Sequence, residues 1–63
     1  MHPWKRMDPY VVLSICNMKL RNYFSSLEAL CEDENIDPKM VEAMLLAIGY
    51  TYNRQHNQFI ASL

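Results

Sequence analysis

Sixty-three residues with a net charge of −1 make one small domain. The chain is 51% hydrophobic, yet no run approaches the roughly 18 apolar residues that a membrane helix needs. A single glycine excludes a phosphate-cradling loop of the Walker or dinucleotide type, and so short a chain buries little surface unless association, metals or disulfides help it.

The first residues, MHPWKRMDPY, hold neither an apolar run nor a small-residue cleavage site, so no signal peptide is expected. Residues 1–6 and 61–63 are expected to be loose, leaving an ordered core over residues 8–60 of a single domain spanning 1–63. Asp8-Pro9 is an N-cap and first-turn pair that predicts a first helix over residues 9–21. Leu13, Cys16, Leu20 and Phe24 mark its core face. Asn17, beside that face, is expected to hydrogen-bond a loop backbone group.

Residues 23–25 link to a second helix. Ser25 is its expected cap, with Glu28 completing a capping box. Leu27, Leu30 and Cys31 at i, i+3 and i+4 give it one buried face. Four residues after Cys31, Asn35 takes a sharp turn of positive φ, where glycine is usual and Asn next best tolerated. Ile36 tucks in, and Asp37-Pro38 opens a third helix as N-cap and first position. Val41, Met44, Leu45 and Ile48 form its buried stripe. Gly49 ends it and Tyr50 folds back on its last turn. The spacing of Cys31, Asn35 and Val41 is that of a helix-turn-helix. Glu34 departs from it, because that slot usually holds an apolar residue and here a carboxylate must swing outward.

After Gly49 the period changes. Tyr50 and Tyr52, then polar Asn53-Arg54-Gln55-His56-Asn57, then Phe59 and Ile60, predict a short β-hairpin. The expected fold is therefore mainly α: a three-helix, helix-turn-helix-like domain with a short C-terminal β-hairpin, like a minimal winged helix. Such a hairpin frays unless its aromatics pack on the helices.

DPYVVLSICNMKLRNYFSSLEALC and IGYTYNRQHNQF carry a resemblance over residues 8–60. Their most distinctive pieces are Asn17-Met18-Lys19-Leu20-Arg21, Ser26-Leu27, Ile48-Gly49-Tyr50 and Asn57-Gln58-Phe59. They resemble a family of very small bacterial proteins, domain of unknown function 4250. The resemblance implies a bacterial, cytoplasmic protein. It brings no activity, cofactor or site residue.

Charge separates along the chain. Glu28, Glu32, Asp33, Glu34, Asp37 and Glu42 face only Lys39 within the helix-turn-helix, while Lys5, Arg6, Lys19, Arg21 and Arg54 outside it face only Asp8. DNA affinity comes largely from Lys and Arg neutralising phosphates, so an acidic motif opposes it. Of the outward residues of the third helix, Lys39 alone suits base or phosphate contact; Met40, Ala43, Leu46 and Ala47 are apolar. On the first helix Val11, Ile15 and Met18 form a second apolar stripe opposite the core, more than a monomer of this size can cover.

The favoured expectation is a non-enzymatic cytoplasmic binding module. It would self-associate as a homo-oligomer or hold another protein through Val11, Ile15, Met18 and Leu46. The alternative is a DNA-binding, winged-helix-like transcription regulator that uses a basic patch of Lys19, Arg21 and Arg54, joined by Lys5, Arg6 and His56. Cys16 and Cys31 are expected to be reduced and buried, and with His2 and His56 they show no zinc-ligand spacing. No catalytic, cofactor-binding or metal-binding residue is expected.

Overall fold

The computed structural model describes residues 3–62. Among them three helices, α1 (Pro9–Asn22), α2 (Leu27–Glu34) and α3 (Pro38–Leu46), precede an antiparallel hairpin of β1 (Tyr50–Asn53) and β2 (Gln58–Ala61). This is the expected mainly α plan. No described helix is long and apolar enough to cross a membrane.

Local cap chemistry sets most of the boundaries. The Asp8 carboxylate accepts from the Tyr10 N–H and the Asp37 carboxylate from the Lys39 N–H, each at 2.9 Å, with proline following in both cases. Asn35 stands in the left-handed region (φ 58, ψ 50), and the next amide, Ile36 N–H, closes on Cys31 C=O at 2.9 Å. Gly49 (φ +86) donates to Leu46 C=O at 2.8 Å and turns the chain into β1. One cap is displaced from its expected place. Ser26, not Ser25, opens α2, its hydroxyl accepting from Ala29 N–H at 3.1 Å. The residue three beyond Ser26 is alanine, so no capping box forms and Glu28 is free to pair elsewhere.

Every element except β1 contributes to the core, and Tyr50 and Tyr52 of β1 pack against it. α1 gives Val12, Cys16 and Leu20; α2 gives Leu27, Leu30 and Cys31; α3 gives Val41 and Leu45; β2 gives Phe59. Val12 takes the place expected for Leu13, because Val12, Cys16 and Leu20 repeat at i, i+4 and i+8; Leu13 and Phe24 pack at its margin, as do Met44 and Ile48. Trp4, from one turn of 3-10 helix at Pro3–Arg6, is buried with them. The start of the chain is thus not loose from residue 3 onward. At the other end Ala61 is still in β2, and Ser62 N–H donates to Gly49 C=O at 2.9 Å. Residues 1, 2 and 63, also expected to be loose, lie outside the described residues.

The hairpin is fastened by carboxamides. Asn17 holds both main-chain groups of Phe59: its Nδ2 donates to Phe59 C=O at 3.1 Å and its Oδ1 accepts from Phe59 N–H at 2.8 Å. Its partner is therefore a strand edge and not a loop. Asn57 (φ 53) ends the four-residue connection, and its Nδ2 donates to Leu20 C=O and Phe24 C=O, both at 2.9 Å. Leu20 C=O is among the last carbonyls of α1, which have no partner within the helix. The Tyr52 hydroxyl donates to Asn57 Oδ1 and accepts from Leu27 N–H at 3.2 Å, satisfying a first-turn amide of α2. Across the strands Tyr52 and Phe59 meet with ring centroids 5.5 Å apart.

Candidate functional site

The surface of the described residues has no pocket, and no group of three or more His, Cys, Asp or Glu among them converges as metal ligands would. Of the four residues weighed for a zinc site, His2 lies outside the described residues. Cys16 and Cys31 are free and buried. Burial, then the neighbouring Cys31 and Glu34, pushes the Cys16 thiol up to about 12. Burial followed by the charge of Glu28 pushes Cys31 to about 11. Both are therefore protonated, poorly nucleophilic groups at neutral pH.

The first candidate surface lies on α1. With Val12, Cys16 and Leu20 turned inward, Val11 and Met18 point to the opposite side and are 46% and 42% exposed. Seven residues apart, they lie one above the other at about 10 Å along the helix. Ile15 lies between them in sequence but is half-buried and packed on the core. It forms the rim of this face and not its centre. Leu46, the last residue of α3, is 57% exposed. The four predicted contacts are thus divided between two helices. Neither Trp4 nor the hairpin removes Val11 and Met18 from solvent. Tyr10, Tyr23 and Ile60 are exposed as well. Ile60 was legible from strand alternation, since an inward Phe59 turns its neighbour outward.

The second candidate surface does not assemble as expected. Residues two apart on a helix differ by about 200° in direction, so Lys19 and Arg21 leave α1 on opposite sides. Lys19 reaches Glu34 of α2 at 3.2 Å. The carboxylate expected to swing outward instead stays half-buried and meets a cation. Arg54 makes a two-pronged contact with Glu28, Nη1 to Oε1 at 3.2 Å and Nη2 to Oε2. Its guanidinium also lies 5.6 Å from the Tyr52 ring centroid. Hydrogen bonding to Arg54 holds the Glu28 carboxyl below its ordinary value, and Glu28 raises Arg54 in return. Two of the three cations proposed for phosphate contact are therefore matched by carboxylates. Arg21 is exposed, as is His56, whose backbone N–H donates to Asn53 Oδ1 at 2.9 Å.

Sequence reasoning found the cations but not their partners, because the partners lie 15 and 26 residues away. The distinctive polar residues of the chain have structural work instead. Asn17, Asn57 and Gln58 spend their amides on backbone carbonyls and on Phe59 N–H, with Gln58 Nε2 donating to Asn17 C=O at 3.1 Å.

Residues 6–59 match the family of the Domain of unknown function (DUF4250), and the chain belongs to it. No curated protein and no solved structure matches the chain.

Proposed function

We propose that this domain is a small binding module that takes a protein surface, from a second copy or from a partner, against the outer face of α1. Val11 and Met18 form the centre of the contact, Ile15 its rim, and Leu46 adds an apolar contact from α3. The observation that carries this reading is the exposure of Val11 and Met18 in a chain this small. A 63-residue domain has few large apolar side chains to leave outside its core. Exposed apolar groups at helical spacing suit association better than isolation. The module works without catalysis and without a cofactor, in the cytoplasm. The DNA-regulator alternative is weakened by the Lys19–Glu34 and Arg54–Glu28 pairs, since phosphate must displace a carboxylate at each.

Light scattering across the micromolar range tests the self-association form. The expected result is a mass that rises with concentration in the wild type and stays monomeric in Met18→Asp. A wild type that remains monomeric throughout removes the homo-oligomer. The partner form then rests on whether Met18→Asp abolishes capture of a protein that the wild type retains. A short mixed-sequence duplex added at low salt is expected to leave the amide NMR spectrum unchanged, and shifts around Arg21 and Arg54 would instead favour the regulator.

A further inference from the structure

The hairpin has two edges, and side chains of the helices hold main-chain groups on only one, at Phe59. Ser62 N–H donates to Gly49 C=O, and the ladder continues with Tyr50 opposite Ala61, Thr51 opposite Ile60 and Tyr52 opposite Phe59. Bonded and non-bonded pairs alternate in an antiparallel ladder. Thr51 and Ile60 therefore bond each other, while Tyr50 and Tyr52 on β1 and Phe59 and Ala61 on β2 turn their main-chain groups away from the partner strand. On the β2 side Asn17 takes both groups of Phe59. On the β1 side no described residue hydrogen-bonds the N–H or C=O of Tyr50 or Tyr52. Tyr-Thr-Tyr is a strongly strand-forming run. Apart from its shortness, four residues, β1 has none of the devices that protect an edge: no lysine, proline or bulge.

We propose that the outer edge of β1 is a strand-addition site for an extended, basic segment of a partner protein. This surface is independent of the outer face of α1. Alternate residues of the added strand exchange N–H and C=O bonds with Tyr50 and Tyr52, and the existing hairpin becomes a three-stranded sheet. Charge selects the occupant. Arg54, directly after β1, is already paired with Glu28 and lies within the field of Glu42. Of the six carboxylates of the α2–α3 segment, Glu28 and Glu34 are matched by Arg54 and Lys19, and Glu32, Asp33, Asp37 and Glu42 stand against Lys39. A lysine-bearing or arginine-bearing strand meets that field favourably. A second copy brings the same acids to the same edge and is opposed by like charge.

The test uses the whole domain, isotope-labelled, titrated with a synthetic peptide of alternating lysine and valine. The expected result is amide shifts centred on Tyr50, Thr51 and Tyr52, with hydrogen exchange at Tyr50 and Tyr52 slowed by about tenfold or more. Methylating alternate peptide amides is expected to abolish both, and Glu42→Gln to weaken binding several-fold. An equal response to the methylated peptide, or shifts at the acids with unchanged exchange at Tyr50 and Tyr52, overturns strand addition in favour of diffuse charge attraction. The same protection on raising protein concentration alone assigns the edge to a second copy and overturns the basic-segment assignment. A response centred on Val11 and Met18 overturns it as well, while leaving the proposal for α1 standing.

Discussion

Asn35 shows how much one residue can decide. Its φ of 58 lies where an L side chain costs energy and where asparagine is among the least penalised. Asn35→Gly is expected to match or slightly exceed wild-type stability in urea unfolding, whereas Asn35→Ala should lose about 1 kcal/mol. Glu28 supplies a prediction of different sign. Its carboxyl is held below the usual 4.5 by Arg54. The stabilisation from that pair is fully present above about pH 4.5 and is lost as pH falls through the lowered folded value. The stability difference between wild type and Glu28→Gln should therefore shrink with acidification, and added salt should shrink it at neutral pH. Asn35, Asp8 and Asp37 were legible in the sequence because turn and cap chemistry is local. The choice between Ser25 and Ser26 was not. Adjacent serines offer the same cap, and the distant Tyr52 hydroxyl that engages Leu27 N–H belongs to the hairpin.

At the scale of elements, the hairpin depends on the helices more than on its own ladder. Two four-residue strands are marginal in water. Phe59 in the core, the Asn17 clamp and the Asn57 cap make them persist. Removing the Asn17 carboxamide leaves the N–H and C=O of Phe59 without partners. Asn17→Ala is expected to cost about 1–3 kcal/mol. The loss should show first as faster hydrogen exchange at Thr51 and Ile60, before the helices open. Asn57 separates two contributions. Asn57→Gly keeps access to φ 53 and deletes the cap on α1, whereas Asn57→Ala deletes the cap and adds backbone strain, so alanine should be the worse by about 1 kcal/mol. The sequence announced that Asn17 needed a backbone partner. It could not name Phe59, because a contact across 42 residues follows from the packing of the hairpin and not from any local period.

For the whole molecule, the question is how so small a chain completes one core and still leaves Val11 and Met18 outside it. Helical spacing made the outer stripe of α1 visible, but the exposure within that stripe depends on neighbours. Ile15 flanks the core, so Ile15→Asp strikes the fold as well as the surface. Met18→Asp is the cleaner variant and should change stability by no more than about 0.5 kcal/mol. Trp4 works in the other direction. Nothing local in Pro3-Trp4-Lys5-Arg6 announces burial, yet Trp4 joins Val12, Cys16 and Leu45 in the core cluster. An aromatic ring removes more apolar surface than any other side chain available, which gives a core this small a reason to recruit one from outside the three helices. A domain of this length has a total stability of about 3–9 kcal/mol, and truncating a buried tryptophan typically costs about 3–5 kcal/mol. Trp4→Ala is thus expected to leave the domain at the threshold of folding. Thermal unfolding followed by circular dichroism should show a transition lowered by tens of degrees or no cooperative transition at all. A variant that melts within a few degrees of wild type would mean that the three helices and the hairpin hold the core without Trp4.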